Sequence, residues 1–324
     1  MKTTGSYDRI DYSLRPAKHA ERRMLSEVFR RLRPFARLEN YLYVGLGSLW
    51  FSDFTLFHRS LGIREMISIE RDEESQVRFN DNKPFAAIVM DFRDSSKVLP
   101  ELPWNRPAII WLDYDDPITK GMLLDTRTVV RNAVSGTAFA VTVQCHRAQE
   151  APRAGQEPPE GEPTPIERFR DRLGVQAVPP GKGETDLTGW PFGELTREIF
   201  RSEIETALAT RNLGVEPAEQ IRFIPICDIE YADGPKMTTF VGIFATVADE
   251  DKLQECGFEG LDFLPPDSKP VRIEIPVLTV KEIRDLERQL PLNGEAAYGS
   301  IPKDHADNFI KFYRYFPNFA VLEQ

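Results

Sequence analysis

Four short stretches carry the residue types from which a nucleotide-ligand site is built. Tyr43-Val44-Gly45-Leu46-Gly47-Ser48 ends an apolar run in two glycines and then a hydroxyl residue. A strand that turns through glycines into a helix brings its backbone close to a ligand, because no Cβ stands in the way. Glu70 closes the next apolar run, 23 residues after Gly47. An acidic side chain there accepts hydrogen bonds from a ribose hydroxyl pair. The alternative is a solvated Glu in an acidic group with Asp72, Glu73 and Glu74. Asp91 closes the third run and is followed by Phe92: a carboxylate suited to an adenine amino group, with an aromatic to cover the ring. Asp113 and Asp115 close the fourth, in Asp113-Tyr114-Asp115-Asp116-Pro117.

These residues need a scaffold that gathers strand ends on one edge. The apolar runs Tyr41–Val44, Met66–Glu70, Phe85–Met90, Ala108–Leu112 and Ala138–Val143 alternate with helical patterns. Continuous apolar runs suit strands buried on both faces of a parallel sheet. Strand–helix alternation predicts a doubly wound α/β architecture, which binds ligands at the carboxyl ends of its strands. Ser48 reads as the cap of the helix after the glycines. Farther on, Ile221–Tyr231 and Met237–Val247 flank Asp233-Gly234, a hairpin signal. The fold expected is a mostly parallel, seven-stranded sheet that ends in an antiparallel hairpin.

Class I S-adenosylmethionine-dependent methyltransferases end their sheet in the same way, and residues 40–248 resemble them in the order Gly45, Gly47, Glu70, Asp91, Asp113 and hairpin. The phrases IDYSLRPAKHAERRML, YVGLGSLWFSDF, MISIERDEE and IIWLDYD resemble bacterial proteins labelled as O-methyltransferases. The resemblance implies S-adenosylmethionine as cofactor. Gly45 and Gly47 would line its methionine and ribose portion, Glu70 would hold the ribose hydroxyls and Asp91 the adenine amino group, beside Phe92. Asp113 would lie near the transferred methyl, with Asp113 or Asp115 as the group that takes a proton from the acceptor. Two positions depart from the family pattern. Tyr43 stands where an acidic residue often precedes the first glycine, and Leu49 stands where a third glycine is common.

Charge is uneven along the chain. Residues 1–40 hold ten Lys or Arg against five Asp or Glu; with a net charge of −10 overall, the remainder carries −15. An amphipathic helix is predicted over residues 17–32, with Pro16 in its first turn. Two readings fit its basic residues: a solvated face that pairs with the acidic body, or a contact for nucleic acid. The latter would make the protein a non-catalytic binder of a nucleotide-like ligand, nucleic acid or protein on the same fold, the alternative to methyl transfer. A nicotinamide oxidoreductase fits less well, since it calls for a fuller glycine motif and no terminal hairpin.

No run reaches the ~20 apolar residues of a membrane span, and no segment reads as a secretory signal. Three scattered cysteines (Cys145, Cys227, Cys256) argue against a disulfide framework and for a reducing cytoplasm. No histidine pair has metal-ligand spacing, so no metal is expected. The expected organisation is a basic helical segment at 1–40, the methyltransferase-like domain at 41–250 with a flexible insert at 148–165, and an α+β extension at 251–324. In the extension, Thr279 and Glu282 have capping-box spacing for a helix through Leu290. Phe309, Phe312, Tyr313, Tyr315 and Phe316 form a patch expected to pack on the body.

Overall fold

Eight strands form one twisted sheet in the order β3-β2-β1-β4-β5-β7-β6-β8. They are β1 (Leu42–Leu46), β2 (Glu65–Ile69), β3 (Ile88–Asp91), β4 (Ala108–Asp113), β5 (Thr137–Gln144), β6 (Ile221–Ala232), β7 (Lys236–Thr246) and β8 (Val271–Ile273). The computed structural model describes residues 15–151, 161–267 and 269–317. Strands β1 to β5 pair in parallel, and β7 runs antiparallel between β5 and β6. This is the architecture expected from the sequence, with one strand more. Strand β8 pairs in parallel with β6 through Ile229↔Val271 to Tyr231↔Ile273. The sequence also marks a strand at Val271–Pro276, of which Val271–Ile273 forms β8; its place on the sheet edge is set by tertiary docking.

Ten helices occur among the described residues: α1 (Pro16–Arg30), α2 (Ser52–Leu61), α3 (Gln76–Asn82), α4 (Ser95–Val98), α5 (Lys120–Asn132), α6 (Pro165–Leu173), α7 (Gly189–Arg211), α8 (Glu250–Glu255), α9 (Val280–Glu287) and α10 (Lys303–Phe312). Two apolar layers result. One face of the sheet carries Met24, Leu25, Val28 and Phe29 of α1, Phe54 and Phe57 of α2, and Phe79 of α3. The other carries Met122 and Val129 of α5 and Leu195, Ile199 and Phe200 of α7. Phe312 and Tyr315 join the first layer, while Phe309 packs with Leu286, Ile301 and Ala306 in a small satellite core. Much of the C-terminal aromatic patch therefore serves packing.

Helix α1 needs a distant cap. Arg15 supplies no side-chain cap, and Pro16 has no N–H to satisfy. Instead the Ala17 and Lys18 N–H groups donate to the Asp233 carboxylate, at 3.1 and 2.8 Å, from the β6–β7 turn. The carboxylate also meets the positive end of the helix dipole. Elsewhere Thr279 and Glu282 form the expected capping box. That helix stops at Glu287 rather than Leu290. Of the 148–165 insert, residues 152–160 lie outside the described residues; Ala148 and Ala151 are buried. No described helix is long and apolar enough to cross a membrane.

Candidate active site

The sheet changes direction between β1 and β4, so its carboxyl edge opens into a crevice there. Gly45 pairs with Trp111 at the end of the β1–β4 register, with Gly47 and Asp113 each two residues farther along the chain. The glycines are required by crowding. A Cβ on Gly45 would lie 2.7 Å from the Tyr43 hydroxyl oxygen, and one on Gly47 would lie 3.0 Å from Glu70 Oε2 and from the Ile69 carbonyl. The Gly47 N–H donates to that carbonyl at 2.5 Å, which folds the turn against β2.

The loop then runs on to Phe51 before α2 begins at Ser52. The cap expected at Ser48 is therefore displaced by three residues. Phe51 adopts a left-handed conformation (φ 44°), which an L side chain enters at a cost. Its ring is fully buried against Phe54 and Phe79. Apolar burial of the ring holds the strained turn, and the cost of that strain falls at the rim of the crevice.

Glu70 stands just past the end of β2, half-buried. Its Oε1 accepts from the Arg71 and Asp72 N–H groups at 2.7 and 3.1 Å. Among the described residues no hydrogen bond reaches Oε2. Burial raises its carboxyl above the ordinary range, and the two backbone donors oppose that rise. Asp91, at the end of β3, accepts two bonds from the Arg93 guanidinium at 2.9 and 2.8 Å. Arg93 thereby holds its carboxyl below the ordinary range. Each of its oxygens keeps a second lone pair. Phe92 is half-buried edge-to-face on Phe79.

Asp113 ends β4 and is 29% exposed. Its Oδ1 accepts from Lys18 Nζ of α1 at 2.6 Å. Its Oδ2 has no hydrogen-bond partner among the described residues. Lys18 is 1% exposed; its ammonium also meets Glu21 Oε2 at 2.7 Å and lies 4.5 Å from the Trp111 ring centre. Glu21 is fully buried and accepts from the Thr239 hydroxyl. A chain of hydroxyls continues from Thr239 to Thr142 at 2.8 Å, and Trp111 Nε1 donates to Thr142 at 2.9 Å. Asp115, the other proposed proton acceptor, is exposed on the following loop. The structure thus brings Gly45, Gly47, Glu70 and Asp113 to one crevice. Asp91 and Phe92 lie beyond Glu70 along the same edge.

The residues missed by sequence reasoning come mostly from α1 and α2. Tyr43, the departure from the family pattern, donates its hydroxyl to Asp53. Asp53 is acidic, half-buried, and ten residues further on. The carboxylate that the strand lacks is supplied by the next helix. Burial raises the Asp53 carboxyl, with Arg22 of α1 opposing. Tyr231 of β6 is fully buried beside Lys18, and its hydroxyl finds no partner among the described residues. A signal for α1 was present. Lys18, Glu21, Arg22, Leu25 and Phe29 follow i, i+3, i+4 spacing, so the charges continue the buried stripe rather than oppose it. Of the other basic residues, Arg31 donates to the carbonyls of Gly257 and Gly260.

No curated protein matches the chain at significant similarity. Among solved structures it is similar to Trm1 from Pyrococcus horikoshii, in complex with S-adenosyl-L-methionine (14% identity, 72% of this chain and 57% of that chain covered, TM-score 0.45). It therefore spans little more than half of that chain. It is also similar to the fibrillarin pre-rRNA processing protein of Methanococcus jannaschii (10% identity, 66% and 69% covered, TM-score 0.38). A family model matches residues 10–324, nearly the whole sequence. The chain, with its class I methyltransferase fold, belongs to the family described as "Putative O-methyltransferase".

Proposed function

We propose that the protein transfers the methyl group of S-adenosylmethionine to an acceptor hydroxyl, with Asp113 receiving the acceptor's hydrogen bond. The observation that carries this reading is the pair of open carboxylate oxygens, Glu70 Oε2 and Asp113 Oδ2, on either side of the Gly47 turn. Glu70 would hold the ribose diol. Gly45 and Gly47 let backbone close on the ligand. Asp91 and Phe92 would flank the purine.

When bound, the sulfonium supplies an electrophilic methyl that needs no further activation. The protein's own work is alignment and proton handling. Lys18 holds Asp113 Oδ1, which leaves Oδ2 without a hydrogen bond among the described residues and so open to a ligand. An acceptor hydroxyl that donates to Oδ2 is oriented and gains nucleophilic character as its proton shifts toward the carboxylate. The bound donor would supply its methyl to that oxygen and leave as the neutral thioether, while Asp113 takes up the acceptor's proton. Asp115, exposed two residues on, is the alternative proton acceptor.

Calorimetric titration with S-adenosylmethionine tests the donor site. Saturable binding is expected, weakened about 10- to 100-fold in Glu70→Ala, the scale of losing charge-assisted hydrogen bonds. Unchanged affinity in that variant removes Glu70 from the site. Incubation of cell extract with 13C-methyl donor then distinguishes O-methyl from N-methyl products by carbon chemical shift. An N-methyl signal overturns the hydroxyl assignment. Binding without transfer to any fraction favours the non-catalytic binder.

A further inference from the structure

Among the described residues, the buried charges beneath α1 do not balance. Lys18 lies between two carboxylates, Glu21 at 2.7 Å and Asp113 at 2.6 Å. Its surroundings are otherwise matched or neutral. Arg22 of the same helix faces Asp53 of α2. Arg15 and Asp233 place opposite charges at the N-terminus of α1. Tyr43 of β1 and Tyr231 of β6 are held neutral, their phenols well above the ordinary range through burial. Thr239 of β7 gives Glu21 a hydroxyl and no charge. His19 is pushed down to about 4 by burial, Arg23 and Arg22, and so is neutral near pH 7. When Lys18, Glu21 and Asp113 are ionised, one negative charge is left over. An uncompensated charge in a poorly solvated site is costly, and a cation that arrives beside it relieves the cost.

We propose that the Lys18–Glu21–Asp113 cluster matches the charge of the methyl donor, favouring a bound sulfonium over the neutral thioether that remains after transfer. The inference rests on the donor reading given above. Transfer removes one positive charge from the crevice, so affinity drops at the step where the spent donor must leave. Burial also raises the Glu21 carboxyl above its ordinary range, while Lys18 and Thr239 oppose that rise. A proton taken up there cancels the excess charge, and the preference fades with it.

Titration of the full chain with S-adenosylmethionine and with S-adenosylhomocysteine reads the ratio of the two dissociation constants. The two ligands share their amino-acid and adenosine groups, so those titrations cancel in the ratio. The wild type should prefer the sulfonium about tenfold, the scale of one charge pair ~10 Å apart at an effective dielectric of about 20. Glu21→Gln keeps the shape and removes the charge, with the amide oxygen accepting from Lys18 and the amide N–H donating to the Thr239 hydroxyl; it should bring the ratio toward parity. Acidification should lower the wild-type ratio and move that of Glu21→Gln much less. Thr239→Val, which withdraws one donor from Glu21, should shift the wild-type profile to higher pH, and it serves alone if Glu21→Gln does not fold. Equal, pH-independent ratios in wild type and variants overturn the inference while the donor site stands. A folded wild type that binds neither ligand overturns the donor reading, and the inference falls with it.

Discussion

Adjacent residues of β7 serve two different buried charge clusters on opposite faces of one sheet. The Thr239 hydroxyl donates to Glu21 under α1. The Thr238 hydroxyl accepts from Arg197 of α7 at 2.6 Å, and Arg197 also reaches Glu230 at 2.9 Å. On the α7 face Glu230 spends both oxygens, one on Arg197 and one on Arg272. Asp228 meets Arg197 and Arg201. Three guanidiniums thus surround two carboxylates, far from the β1–β4 crevice. On the α1 face two carboxylates surround one ammonium, and one carboxylate oxygen is left open. The first arrangement fastens α7 to β6 and β8 and is rich in cations. The second is rich in acids and ends at the partly exposed Asp113, so under the proposed reading it is the cluster that faces a cationic ligand.

The largest expected effect separates the two clusters. Lys18→Met leaves two carboxylates facing each other in the core, and Arg197→Met strands Glu230 from its buried partner. Breaking a buried pair costs about 3–5 kcal/mol, so urea titration should show both variants destabilised on that scale. Only Lys18→Met should also weaken S-adenosylmethionine binding in the fraction that stays folded. Equal losses of affinity would erase the distinction. Next comes Gly47→Ala. Its Cβ would lie 3.0 Å from Glu70 and from the Ile69 carbonyl, so donor affinity should fall about tenfold by calorimetry, with overpacking of roughly 1–3 kcal/mol behind it.

A smaller effect concerns stability against pH. The Glu21 carboxyl is raised in the folded state. Its contribution is therefore fully present below the unfolded value near 4.5 and is lost as pH rises through the folded one. The neutral isostere Glu21→Gln should unfold at a higher temperature than the wild type at pH 7–8, by on the order of 1 kcal/mol. The gap should close by about pH 4; a gap of the same size at both pH values refutes the assignment. The smallest effect is that of His19. Its depressed value means that stability present above the ordinary value of 6.5 declines as pH falls toward about 4. A His19→Gln variant should show a slightly flatter melting profile over that window.

Much of this fold was legible because its strands are buried on both faces and so read as unbroken apolar runs. The hairpin was legible through Asp233-Gly234. The crevice glycines and the acids at the strand ends follow from the same pattern, since a doubly wound sheet must deliver them to one edge. Lys18 and Glu21 were not read as site residues, because a charged pair on a basic helix looks solvated until the sheet beneath it is known. Asp53 was hidden for a similar reason: its partner Tyr43 belongs to another element, and only packing brings them together. Ser48 had the chemistry of a cap, but the backbone continued to Phe51, where burial of an aromatic ring outweighs local preference. Strand β8 carries too little sequence to declare a neighbour.

The cap on α1 bears on the order in which the molecule can be made. Its N–H groups are satisfied by Asp233, more than two hundred residues downstream. A chain emerging from the ribosome therefore has its first helix long before the carboxylate that anchors it. Contacts of such sequence separation form late. Lys18 has no assured seat beside Asp113 until the hairpin turn arrives, so a truncated nascent chain would carry the glycine turn and the strand-end acids without a finished site. Assembly of the crevice waits on the β6–β7 hairpin.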